Sequence, residues 1–262
     1  MGGQMVEQRI PSYSTPPVTE VAIGVTLPPF PLQTRHIGQF WAEIREDFPV
    51  TEDVGPIPFD SAMQPFEVKL LQMPPIRRVF MKTADSEYVL QVQEGRFLTN
   101  WRKHPAEAVY PRYATVLGRF LHSWDRYATF LTRNGLVLPE PTGYELTYVN
   151  ELNDPGTVGI KAYVKLLDWE RLEPEFLIQP PQMANISWSF TMPDSKGAMT
   201  VSINRSTTAS GASATLLVLS CSGPSSAAYS LRDWFDTAHE WIVRGFTDLT
   251  TDEAHGLWKR EV

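Results

Sequence analysis

One cysteine, Cys221, stands in 262 residues. That excludes an intrachain disulfide and any zinc site built on cysteines. It lies in the apolar run LLVLSC, where a free thiol reads as a small, inert, buried hydrophobe. Positive charge is also short: 23 Lys and Arg stand against 30 Asp and Glu, for a net charge of −7 and a pI of 5.3. A nucleic-acid binder needs a basic field to displace counterions, so the balance argues against that partner class. No apolar run approaches the ~20 residues that span a bilayer. The N-terminus lacks the apolar core of a signal peptide. A soluble cytoplasmic protein with no membrane association is the expectation.

Chemical motifs are equally scarce. HEWIV at His239 lacks the second histidine of HExxH. His36, His104 and His122 are isolated, no GxSxG or phosphate loop occurs, and no metal or cofactor is expected. Glu145 and Glu151 share a strand face but sit roughly 20 Å apart by rise alone, too far for paired acid and base work. SCSGPSSAAYS reads as a strand-to-helix turn capped by Ser225 or Ser226.

What the chain does have is aromatic side chains and clear periodicity. Aromatics make up 11% of the residues, enough bulk for a full core. Residues 1–17 read as a loose tail. VTEVAIGVTL alternates as a strand over about 19–27, stopped by Pro28-Pro29. A helix follows, capped by Thr34, with Ile37, Phe40, Trp41, Ile44 and Phe48 at helical spacing and Pro49 at its end. Residues 49–66, with four prolines, read as a long surface loop. IRRVFMKT, YVLQVQ and RFLTNWR form a meander, with a tight hairpin at Glu94-Gly95. Phe97, Thr99 and Trp101 share one face of the last strand; Arg96, Leu98, Asn100 and Arg102 share the other.

Pro111 marks the start of a long helix. Tyr113, Leu117, Phe120, Trp124, Tyr127 and Leu131 step by four and three into one apolar stripe. Asn134-Gly135 stops it. YELTYVNEL is a strand with Tyr144, Leu146, Tyr148 and Asn150 on one side. IKAYVKLLDW reads as a short helix. ANISWSFTMP, KGAMTVSINRST and ATLLVLSCS read as three more strands. From Leu231 a second long helix aligns Trp234, Phe235, Ala238, Ile242 and Phe246, with His239 on its polar edge. Thr250 and Glu253 suit a capping box for a last short helix.

The pattern is written twice, over 18–138 and 139–262. The expected fold is therefore α+β: a two-layer antiparallel sheet built from two pseudo-repeated β-α-β-β-β-α halves, with the long helices on one face.

The blocks PPVTEVAIGV, YVLQVQEGRFLTNWRK, YPRY, GYELTYVNEL and HEWIVRGFTDLTTDEAHGLWKR resemble a sporadically distributed bacterial family of uncharacterised proteins, over essentially the whole chain. The resemblance implies no reaction. Its patchy distribution would fit a mobile-island or defence-linked role.

Asn100, Trp101, Arg102, Glu145 and Tyr148 are the candidate site residues. Arg102 offers a planar fork for an anion or carboxylate; its structural alternative is a pair with Glu145 or Glu151. Trp101 and Trp188 could line an apolar surface. Two function classes follow. The first is a non-catalytic binding or accessory protein, acting through a protein partner or as a homodimer, in a defence or toxin–antitoxin-like setting. The second is a ligand or enzyme cavity between sheet and helices, with Arg102, Asn100, Tyr148 and Glu145 as polar contacts.

Overall fold

The computed structural model describes residues 10–55, 78–152, 162–165, 184–207 and 213–261. Nine strands and four α-helices are described. The strands are β1 (Val18–Thr26), β2 (Val50–Val54), β3 (Arg78–Lys82), β4 (Tyr88–Gln93), β5 (Arg96–Arg102), β6 (Gly143–Leu152), β7 (Ala184–Thr191), β8 (Ala198–Thr207) and β9 (Ser213–Pro224). The helices are α1 (Thr34–Ile44), α2 (Tyr113–Arg133), α3 (Leu231–Leu249) and α4 (Asp252–Leu257). The strands form one large antiparallel sheet in the order β2-β3-β4-β5-β1-β6-β9-β8-β7. The α+β class expected from the periodicity is therefore present.

The chain divides into two compact units. One holds Glu20–Leu146 and Gly223–Leu231. In it, Val21, Ile23 and Val25 alternate along β1 and are fully buried. Gly95, at φ 75, closes the β4–β5 hairpin, with Gln93 opposite Arg96. Phe97 on β5 stacks on Tyr127 of α2 at 4.9 Å and meets Trp124 edge-on at 5.3 Å. Phe40 of α1 packs on Tyr127 and Phe130 at 5.1 and 5.3 Å. Phe97, Tyr127, Phe40 and Phe130 are essentially solvent-free, each contributing roughly 1.5–3 kcal/mol of burial.

Three expectations for this unit change. Val50–Val54 is a strand, not loop: it pairs with β3, and its exposed edge position removes the apolar alternation that would have announced it. The remainder of that expected loop lies outside the described residues. Helix α2 begins at Tyr113 rather than Pro111, because Arg112 sits at φ 76, ψ 152, outside helical space. Gln33, not Thr34, is the N-cap of α1, and its backbone N–H donates to Nδ1 of His36 at 3.0 Å.

The other unit holds Met1–Thr19, Thr147–Ser222 and Arg232–Val262. Trp234, Phe235, Ala238, Ile242 and Phe246 form the buried stripe of α3. Val201, Ile203, Leu217, Leu219 and Cys221 supply the buried side of β8 and β9. Burial pushes the Cys221 thiol up to about 12, and Sγ lies 3.7 Å from the Ala238 carbonyl, as expected of an inert thiol. Within the segment read as a tail, Tyr13 is buried against Phe246 and Trp258. Its hydroxyl meets Thr247 Oγ1 at 2.9 Å.

Thr251, one residue later than expected, caps α4 by accepting from the Ala254 N–H at 3.2 Å. Thr250 is instead fully buried and bonds His255 Nε2 at 2.8 Å. Of the short helix expected over IKAYVKLLDW, only Ala162–Lys165 is described, as a turn bridging Thr250; the rest lies outside the described residues.

Candidate functional site

In the unit Glu20–Leu146, strand alternation separates two regions with different chemistry. The face of β5 carrying Phe97, Thr99 and Trp101 is the one against which α2 packs. A cleft of about 440 Å³ opens between the N-terminal half of α2, the end of α1 and strands β4 and β5. It exists because α2 presents small side chains beside its apolar stripe. Ala114, Thr115, Gly118 and Ser123 line the cleft, and a Cβ built on Gly118 would meet no atom within 4 Å.

The floor and walls are mixed. Phe48 and the Tyr88 ring give apolar surface. Thr99 is 6% exposed, and its hydroxyl has no hydrogen-bond partner among the described residues. A buried hydroxyl left unpaired costs about 1–3 kcal/mol. Burial raises the Tyr88 phenol above its ordinary range, keeping it a neutral donor. The Arg119 guanidinium lies 4.0 Å from the centre of the Tyr88 ring. His122 and Arg126 complete the lining, with Arg126 bonded to Asp47. The cleft is thus an apolar slot with hydroxyls inside and cationic groups among its walls.

The residues expected to form a site are placed as follows. Asn100 and Arg102 lie on the opposite face of β5, and Glu145 of β6 shares that face. Asn100 accepts from Gln91 Nε2 through Oδ1 and donates through Nδ2 to the Glu20 carboxylate. Arg102 is 3.5 Å from that same carboxylate. Glu145 pairs with Arg96 at 3.2 Å rather than with Arg102. The expected Arg102–Glu145 or Arg102–Glu151 pair is therefore replaced by Arg102–Glu20: β1 lies between β5 and β6, so Glu20 is directly opposite Arg102.

Trp101 is on the helix-side face, fully buried, and donates through Nε1 to Glu87 at 2.7 Å. Tyr148 belongs to the other unit, where its hydroxyl meets His239 Nδ1 at 3.1 Å. The half-buried His239 ring also stacks on Tyr148 at 5.9 Å, so it faces β6 rather than a polar helix edge, and burial pushes the imidazole down to about 4. Thr99, Gly118 and Ser123 were missed by sequence reasoning. The usable signal was a row of small residues flanking the stripe of α2.

Among the described residues, no group of three His, Cys, Asp or Glu side chains is placed to hold a metal ion. No described helix is long and apolar enough to cross a membrane. No protein-family model and no curated protein matches the chain. A solved structure of DynU16, a protein from the dynemicin biosynthetic locus, aligns over 92% of this chain and 98% of its own. The two share 8% identity with a TM-score of 0.24, too low to carry any argument about fold or function.

Proposed function

We propose that this protein binds a small molecule in the cleft between α2 and the sheet. The ligand has an apolar body of one or two rings and an acidic or hydrogen-bonding group. The observation that carries the reading is the unpartnered Thr99 hydroxyl at the floor of a 440 Å³ slot. That volume falls in the range of small-ligand pockets. Tyr88 and Ser123 can orient a polar group, and Arg119 supplies positive charge beside the Tyr88 ring.

The probe that fits this chemistry is 8-anilinonaphthalene-1-sulfonate, an apolar aromatic body with one anionic group. Its fluorescence titration should saturate at one site per chain and weaken at least tenfold in Ser123→Leu, which fills the slot. Unchanged binding in that variant would remove the proposal.

A second reading, association with a protein partner or a second copy, is favoured by β7. This strand ends the sheet order, and its sequence ANISWSFT carries no charge. Phe190 on it is 38% exposed. Natural edge strands are usually blunted by charge or proline, and an unblunted one is a template for strand addition. Light scattering of wild type and Ser189→Lys separates the outcomes: a dimer that the lysine dissolves supports this reading, and a monomer in both removes self-association.

The pseudo-repeat is part of the proposal. Each unit sets one long helix with an apolar stripe against its own strands, which supports reading the halves as variants of one plan. A mobile-island or defence setting remains a proposal from resemblance; an adjacent toxin-like or nuclease gene would support it.

A further inference from the structure

On the sheet face opposite the cleft, β3, β5, β1 and β6 bring three guanidinium groups together with two carboxylates, beside the Lys82–Glu52 pair of β3 and β2. Arg78, Arg96 and Arg102 share this face with Glu20 and Glu145. Glu145 is bound by Arg96 through both oxygens, at 3.2 and 3.4 Å. Glu20 is shared between Asn100 and Arg102. Among the described residues Arg78 has no carboxylate partner; a hydrogen bond runs from its Nη1 to Gln91 Oε1 at 3.4 Å.

Two buried guanidinium donors on this face have no hydrogen-bond partner among the described residues: Nε of Arg78, and Nε of Arg102, which stands 3.5 Å from Glu20 without bonding it. Both guanidinium groups lie over the single ring of Phe80, at 4.9 and 5.7 Å from its centroid. Burial, with the charges of Arg102 and Arg96, holds the Arg78 pKa below its ordinary value. Positive charge has thus been gathered beyond what the acidic side chains described here neutralise. A buried charge without a counterion is costly. Arg102 is 37% exposed, so the face remains open to solvent at this point.

We propose that Arg78 and Arg102, beside Phe80 and Gln91, form a second binding site, one that takes an oxyanion: the carboxylate or phosphate group of a small molecule. Guanidinium forks match the paired oxygens of both groups. A bound oxyanion at the solvent-facing part of the Arg102 guanidinium would balance the charge of the third arginine. The site is independent of the cleft, because alternation along β5 directs Asn100 and Thr99 to opposite faces.

The test is thermal unfolding of the full chain with increasing inorganic phosphate, acetate or chloride at matched ionic strength. Saturable stabilisation by phosphate or acetate beyond chloride is expected, with a midpoint rise of about 3–5 °C at tenfold the dissociation constant. The larger response identifies phosphate or carboxylate as the preferred group. In Arg78→Gln the anion response should fall at least tenfold in apparent affinity, while the ligand-free midpoint stays level or rises because repulsion is relieved. Arg102→Gln should also lose the response and provides the same readout should the first variant fold poorly. Equal responses to all three salts, or an undiminished phosphate response in both variants, would overturn the proposal.

Discussion

Two glycines on two long helices set the two units apart. On α2, Gly118 looks into open space: a Cβ there would meet nothing within 4 Å. On α3, a Cβ at Gly245 would lie 2.7 Å from Met199 Cε and 3.3 Å from its sulfur. In one unit the glycine is an exposed position bordering the cleft; in the other it lets a helix close onto β8. The same residue type on similar helices thus borders a cleft in one case and a sealed layer in the other. What differs is the neighbour: Met199 is a buried, flexible filler, whereas Ala114, Thr115 and Ser123 are all small.

The largest effect expected from this contrast is pH dependence in the sealed layer. Burial pushes the His239 imidazole from its ordinary 6.5 down to about 4. The unfolded chain therefore binds more protons between those values. Stability should be full above pH 6.5 and fall as pH drops toward 4, by about 3 kcal/mol in all. His255, also lowered chiefly by burial, adds loss of the same sign. Denaturant unfolding at a series of pH values should show the slope, and His239→Gln should flatten most of it. A slope unchanged in that variant assigns the acid sensitivity elsewhere.

Next in size is overpacking. Gly245→Leu should destabilise by about 1–3 kcal/mol, because Met199 must leave a filled site. Gly118→Leu should do the reverse, stabilising by up to about 1 kcal/mol from helix propensity while its side chain enters the cleft. If both substitutions destabilise alike, the two layers are packed alike and the contrast fails.

The smallest effect is at the cleft floor. Thr99→Val removes an unpartnered buried hydroxyl and should leave stability level or raise it by about 1 kcal/mol. Its affinity for a polar ligand should nonetheless drop. A clear loss of stability would show that the hydroxyl is satisfied in solution.

Much of the frame was legible from local pattern. The four-and-three stepping of α2, the glycine of the β4–β5 hairpin and the alternation of β6 each follow from periodicity that one segment carries alone. β2 was not legible, because an exposed edge strand has no buried face to impose alternation.

The candidate site was harder for a different reason. Asn100, Arg102 and Glu145 were singled out as polar side chains on strands, and they do share a face. Their partners, Glu20, Gln91 and Arg96, depend on strand order, which a single sequence does not print. A cleft is harder still, since it is made by what is absent: Gly118 and Ser123 look unremarkable until the sheet opposite them is placed. Trp101 shows the converse. Its aromatic bulk suggested a binding surface, but alternation carries it into the core.

The most direct measurement pairs one ligand titration with one melting curve on Gly118→Leu. An unfolding midpoint at or above wild type is expected, together with loss of saturable 8-anilinonaphthalene-1-sulfonate binding. Binding at wild-type affinity in a variant that melts no lower than wild type would show that the hollow beside α2 is not where the ligand sits.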